Sequence, residues 1–102
     1  MVTPRKPQKV IAIYLEKKKK RYTFVAYIKE YEKEIGNRIR DYRESKNYTQ
    51  EQLAAKLQTL GCDITRSAVA KIEVGQRHIY PDESKAIKEI LNITFDELFY
   101  DK

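Results

Sequence analysis

Cationic and hydrogen-bonding side chains recur on one side of the segment between Thr65 and Gly75. Apolar residues at helical spacing would form the inward face of this segment, namely Ala68, Val69 and Ile72. The outward face then carries Arg66, Ser67, Ala70 and Lys71. Arginine and lysine donate to O6 and N7 of guanine, a hydroxyl is permissive, and an alanine methyl can contact thymine. The segment therefore has the chemistry to read bases in a major groove, although such charges on an arbitrary helix are more often solvated.

The other side chains offer no recognisable catalytic or metal-binding set. One histidine, His78, and one cysteine, Cys62, can supply neither a zinc site nor an internal disulfide. The sequence identifies no nucleophile or orienting carboxylate beside His78, and no carboxylate pair or glycine-rich phosphate loop elsewhere. We expect a binding protein rather than an enzyme, with no cofactor and no metal. Cys62 is interpreted as an inert, partly buried side chain rather than a redox sensor.

Helices must position these side chains. Only three glycines and three prolines occur in 102 residues, which disfavours a turn-rich β-sandwich and favours a mainly α fold. Capping residues and apolar spacing predict five helices. The predicted signals, in chain order, are a first helix from Glu32 to Ser45 with a left-handed cap at Asn47, a capping box from Thr49 to Gln52, a cap at Thr65, a start at Pro81, and a last cap at Thr94.

Charge divides the chain into two regions. Residues 1–31 have a net charge of +7, whereas residues 32–102 have a net charge of −1. We therefore predict a basic N-terminal extension over 1–31, suited to a polyanion, and a folded helical domain over 32–102. The apolar run Val10–Leu15 is too short for a signal peptide or a membrane span, so we expect a cytoplasmic, nucleoid-associated protein that does not bind membranes.

The extension allows two structural interpretations. Its apolar runs, Val10–Leu15 and Tyr22–Ile28, are rich in β-branched and aromatic residues, which favours a β-hairpin. Against the hairpin, the segment between the runs has no glycine or asparagine for a tight turn. The alternative is a helix that begins well before Glu32, since apolar residues recur at three- and four-residue steps along Phe24, Ile28, Tyr31, Ile35, Ile39 and Tyr42.

A cluster of basic residues lies between the two runs, at Lys17, Lys18, Lys19, Lys20 and Arg21. One interpretation is a solvated tip. The other is a basic arm that contacts phosphates or a flanking minor groove. The aromatic residues around it could instead serve oligomerisation.

The helical part resembles the lambda-repressor-like, or XRE-type, helix-turn-helix family. The resemblance rests on residues 49–57 (TQEQLAAKL), 65–75 (TRSAVAKIEVG) and 93–99 (ITFDELF), and it covers roughly Ile35 to Phe99. It implies a five-helix DNA-binding domain whose third helix, over residues 65–74, enters the major groove. One departure is the connection before Thr65, which is longer than the family's tight turn.

The resemblance also implies roles for individual residues. Base contacts fall to Arg66, Ser67 and Lys71, with Ala70 beside them. Contacts to the sugar-phosphate backbone fall to Gln50, Thr65, Gln76, Arg77 and His78. An acidic residue at Glu73 pairs with an arginine on the first helix, which corresponds to Arg43.

We therefore expect a sequence-specific regulator of transcription that binds double-stranded DNA, acts as a repressor by occupying an operator, and works as a homodimer of bacterial or phage type. One alternative is a protein-interaction module, antitoxin-like or anti-regulator, with an unknown protein partner. Another is RNA binding through the basic extension, with tyrosines stacking on bases.

Overall fold

The computed structural model describes residues 24–100, and within this range the chain forms five helices and no strand. The mainly α fold is thus confirmed. The helices, in chain order, are α1 (Phe24–Ser45), α2 (Gln50–Thr59), α3 (Arg66–Glu73), α4 (Pro81–Leu91) and α5 (Phe95–Phe99). No helix among the described residues is both long enough and apolar enough to cross a membrane.

The predicted end of α1 and the predicted starts of α2 and α3 are confirmed, whereas the predicted start of the first helix at Glu32 is wrong, because α1 begins at Phe24. Thr49 and Gln52 form a reciprocal capping box at the start of α2, with oxygen–nitrogen distances of 3.0 and 2.8 Å. The hydroxyl of Thr65 accepts a hydrogen bond from the backbone N–H of Ala68 at 3.1 Å. Asn47 has a left-handed backbone conformation with φ of 60°, and this conformation ends α1. Local sequence signals therefore set most of the helix limits.

The favoured β-hairpin is wrong over Phe24–Ile28, because α1 already begins at Phe24. The alternative helical interpretation holds here. Its apolar stripe packs on the core through Ile35 and Ile39, which are 6% and 1% exposed. A continuous stripe at helical spacing outweighs the β-propensity of a short run. The first apolar run and the basic cluster Lys17–Arg21 lie outside the described residues, and α1 crosses the proposed boundary at residues 31 and 32.

The core lies between α1, α2, α3 and α4. Apolar side chains from all five helices and from the loops that precede α3 and α5 form this core. They include Leu53, Leu57, Val69, Ile72, Ile87, Leu91 and Leu98. The connection between α2 and α3 also contributes, because Ile64 is 1% exposed. Gln58 holds this connection by donating from Nε2 to the carbonyl of Ile64 at 2.8 Å. The longer turn therefore does not extend α2 but packs against the core.

The backbone of helix α1 closely approaches the backbone at the end of α3. A Cβ atom at Gly36 would lie 2.2 Å from the carbonyl oxygen of Ile72 and 2.8 Å from that of Glu73. A Cβ atom at Gly75, where φ is +77°, would lie 2.8 Å from Cα of Lys33. Two glycines thus permit a close approach that sets the position of α3 on the rest of the protein.

Candidate nucleic-acid interface

The two faces of α3 differ sharply in exposure. Val69, Ile72 and Glu73 are buried, at 2%, 2% and 1% exposure. Arg66, Ser67 and Lys71 are exposed on the opposite face, and neither cation forms a salt bridge with a described residue. Ala70, the fourth predicted base-contacting residue, is half-buried. The outward face therefore presents two free cations and a hydroxyl to the surroundings.

A buried ion pair attaches α3 to α1. The guanidinium of Arg43 donates from Nε to Oε2 of Glu73 at 2.6 Å and from a terminal nitrogen to Oε1 at 3.1 Å. The same guanidinium donates to the carbonyl of Tyr48 at 2.7 Å. The hydrogen bond to Glu73 outweighs desolvation and raises the pKa of Arg43 above its ordinary value. A bidentate pair of this kind fixes the rotation of α3 as well as its distance from α1.

Gln50, the first residue of α2, joins the same network. Its Nε2 donates to Oε1 of Glu73 at 3.0 Å, and the side chain is partly buried. The amide nitrogen carries two hydrogens, so one remains available to an outside acceptor. The exposed N–H groups at the start of α2 favour an anion at the same place. Gln50 can therefore serve Glu73 and a phosphate together.

Thr65 is in a similar position at the start of α3. Its hydroxyl oxygen accepts the capping hydrogen bond from Ala68, which leaves the hydroxyl hydrogen free to be donated outward. Thr65 is exposed. The N-termini of α2 and α3 thus both carry polar side chains suited to phosphate oxygens.

Arg77 is held within the protein. Its guanidinium donates to both carboxylate oxygens of Glu83, at 2.8 and 3.0 Å, and to the carbonyl of His78 at 2.9 Å. The guanidinium also lies over the ring of Tyr80, 5.6 Å from its centroid. Only 28% of its side chain is exposed. Arg77 therefore stabilises the loop between α3 and α4. A contact between Arg77 and a phosphate, as predicted, would use a guanidinium that already binds Glu83 and the carbonyl of His78.

Glu83, the partner of Arg77, lies at the start of α4. Burial alone would raise the pKa of Glu83, but the hydrogen bonds from Arg77 and from the backbone N–H of Tyr80 outweigh burial and hold the pKa below its ordinary value. Glu83 was not among the predicted functional residues. The available signal was a glutamate at the third position of a helix that begins with Pro81, where a carboxylate caps the preceding N–H.

The other two loop residues, Gln76 and His78, are exposed. Nδ1 of His78 lies against a carboxylate oxygen of Glu32 on α1. The sequence identified no carboxylate beside His78, and the structure places Glu32 there. The pair is separated by 46 positions in the chain, so only packing brings it together. Among the described residues that line the cleft around His78, none is a serine, threonine or cysteine that the histidine could activate.

Cys62 is buried at 6% exposure in the connection between α2 and α3. Desolvation raises the pKa of its thiol, and the nearby Asp82 and Glu83 add to this. A protonated, buried thiol is a poor nucleophile, as the sequence interpretation supposed. Among the described residues, no group of three His, Cys, Asp or Glu side chains is arranged to hold a metal ion.

A capped helix, a connection packed on the core, and a second helix with an apolar inner face and a cationic outer face together define a helix-turn-helix. A family model described as helix-turn-helix matches residues 39–98, and the chain belongs to this XRE or lambda-repressor-like family. It is accordingly a DNA-binding helix-turn-helix regulator. Comparison with curated proteins and with solved structures finds no match.

Proposed function

We propose that the protein represses transcription by binding a specific operator as a homodimer, with α3 in the major groove. The observation that carries this proposal is the exposure of Arg66, Ser67 and Lys71 on a helix whose opposite face is buried and locked by Glu73. Because the Arg43–Glu73 ion pair lies within the protein, the outward face of α3 is already in place before DNA binds. The free-energy cost of ordering this face on binding is therefore smaller.

The size of α3 suits this role. Its eight residues span about 12 Å, which is close to the width of the major groove. Arg66 and Lys71 are separated by five positions, or about 7.5 Å along the helix axis, so they address only two or three adjacent base pairs. Gln50, Thr65, Gln76 and His78 would contact the flanking backbone, with Arg77 supporting the loop from within. A single copy thus reads a short site, and pairing of two copies would double it.

Selection of bound duplexes from a random pool, using the full chain, tests the proposal. We expect an enriched inverted repeat whose half-sites are spaced by about one helical turn of DNA, or 10–10.5 base pairs. A promoter that contains this repeat should lose activity in transcription assays when the protein is added. Recovery of no common sequence, with equal affinity for all duplexes, would refute sequence-specific reading. An enriched single half-site would refute the dimer.

A further inference from the structure

Val74 is a large apolar side chain that the fold leaves half exposed. It lies at the end of α3, and 50% of its surface is open to solvent. Among the described residues, it belongs neither to the buried core nor to the half-buried apolar residues packed against the core. Tyr80 and Phe95 are similarly exposed, but a cation lies over each of these rings. Because single apolar residues are common on protein surfaces, the surroundings of Val74 decide whether it has a function.

Val74 lies on the outward face of α3, in line with residues predicted to read bases. It follows Ser67 by seven positions and Ala70 by four, and both spacings return to the same side of a helix. The backbone changes hand only at the next residue, Gly75, where φ is +77°. The buried side of α3 faces the other way. The cationic face of α3 therefore ends in an apolar side chain.

The apolar group that a base presents in the major groove is the 5-methyl group of thymine. Guanine, adenine and cytosine present donors and acceptors there, and a valine that covers one of these groups removes it from water without a hydrogen bond. A phosphate oxygen loses water in the same way and gains no donor. The side chain of Val74 is therefore complementary to a thymine methyl group rather than to a polar base edge or to the backbone.

Lys71 and Val74 address neighbouring base pairs. They are three positions apart, which is about 4.5 Å along the helix axis, and successive base pairs are about 3.4 Å apart. A lysine in the major groove donates to O6 and N7 of guanine. Ala70 also lies on this side of α3, but it is half-buried and offers only one methyl group. The two side chains together are thus suited to a guanine with a thymine beside it.

We propose that Val74 is a specificity-determining residue that selects a thymine through its 5-methyl group, at the base pair next to the one that Lys71 reads. The inference rests on the proposed function, and it names the chemistry of one base pair in the operator. The charged and hydroxyl side chains of the same face cannot supply this contact, since they recognise polar groups. The half-site should accordingly lose affinity when that one methyl group is removed.

The test measures binding of the full chain by fluorescence anisotropy to the selected duplex, to a scrambled duplex and to a series in which each thymine in turn is replaced by deoxyuridine. Deoxyuridine lacks only the 5-methyl group, so its hydrogen-bonding groups are unchanged. At one position of the half-site, the parent should bind about three- to fivefold more weakly, the value for one methyl group removed from an apolar contact.

Val74→Ala should weaken binding to the unmodified duplex by a similar factor. It should be insensitive to deoxyuridine at the same position, because the two changes remove the same contact and their effects do not add. Where cytosine replaces that thymine, 5-methylcytosine should restore part of the affinity of the parent but none of that of Val74→Ala. This comparison separates recognition of the methyl group from recognition of the rest of the base.

Two further variants make the result specific. Val74→Ile keeps an apolar side chain and should keep the sensitivity to deoxyuridine. Leu60→Ala truncates an equally exposed apolar residue at the end of α2, and it should change neither the affinity nor the sensitivity. Thermal melting of each variant checks the fold.

Equal sensitivity of the parent and Val74→Ala to every deoxyuridine overturns the proposed thymine contact, as does an effect of the same size in Leu60→Ala. The proposed function stands in either case if the parent binds its selected duplex more tightly than the scrambled duplex. Failure of the parent to distinguish these two duplexes overturns both proposals.

Discussion

Lys71 and Glu73 lie two positions apart on α3, yet their environments are opposite. Lys71 is exposed, whereas Glu73 is 1% exposed and bonded to both Arg43 and Gln50. Helical periodicity predicted the outward position of Lys71, whereas the family resemblance implied the pairing of Glu73 with Arg43. Replacing Lys71 should therefore weaken DNA binding, whereas replacing Glu73 should lower the stability of the fold.

Replacing Lys71 with alanine should weaken binding to the selected duplex by about 1–3 kcal/mol and relax selectivity at one base pair. The reason is that a donor to a guanine edge is lost, while the fold keeps its buried contacts. Competition binding with single-base variants of the site measures this. Lys85→Ala is the control for loss of charge. If binding to the specific and the scrambled duplex weakened equally, Lys71 would contact the sugar-phosphate backbone rather than a base.

Glu73→Ala should lower the free energy of unfolding by about 3–5 kcal/mol, because Arg43 would remain buried without its partner. Glu44→Ala is a suitable control. Glu44 also approaches Arg43, at 4.0 Å, but its side chain is 61% exposed, so its removal should cost little. Urea unfolding of the two variants and the parent measures the difference. Similar midpoints for Glu73→Ala and the parent would contradict a stabilising role for the pair.

Glu83 predicts a pH dependence of stability. Because its pKa is lower in the folded protein than its ordinary value of 4.5, the folded state favours the ionised form. The resulting stabilisation is complete above the unfolded pKa and is lost as the pH falls through the folded pKa. The difference in unfolding free energy between the parent and Glu83→Gln should therefore narrow on acidification from about pH 6 to about pH 3. If this difference in unfolding free energy did not change with pH, the charge of Glu83 would contribute nothing to stability through its pair with Arg77.

At the scale of elements, the crossing of α1 and α3 determines where the base-reading face points. The crossing depends on Gly36, where a side chain would collide with the carbonyl oxygens of Ile72 and Glu73. A glycine inside a helical pattern is a signal for such an approach, but it does not indicate which element approaches. The sequence pattern therefore predicted a helix around Gly36 but not that α3 would pack against it.

Gly36→Ala should destabilise the protein by about 1–3 kcal/mol, although alanine is the better helix former, because the added methyl group meets backbone that cannot move aside cheaply. Asn37→Ala, at the exposed neighbouring position, is the control and should change stability by less than about 0.5 kcal/mol. Thermal unfolding of both variants provides the comparison. A Gly36→Ala variant that is more stable than the parent would mean that α1 and α3 can separate without loss.

At the scale of the whole molecule, the positive charge is concentrated near the N-terminus. The net charge of the chain is +6, and the basic cluster Lys17–Arg21 contributes five positive charges. Five basic residues with a single acidic neighbour, Glu16, either stay solvated or contact phosphates, and the salt dependence of DNA binding distinguishes these cases.

Replacing the five residues Lys17–Arg21 with glutamine should flatten the slope of log affinity against log salt by about 0.9 for each phosphate contact that is lost. The reason is that fewer counterions are released on binding. Anisotropy titrations of the full chain at several salt concentrations measure the slope, and Lys85→Gln again controls for net charge. An unchanged slope would show that the cluster is solvated in the complex.

Local signals in the sequence determined the two faces of α3 and every helix end except the start of α1, because capping and periodicity act within about four residues. Packing alone decided the rest. The start of α1 at Phe24, the attachment of Gln50 to Glu73, and the contact of Glu32 with His78 join distant parts of the chain or depend on a shared core. Such contacts form only after the helices pack, and no short-range pattern encodes which distant side chain will lie opposite.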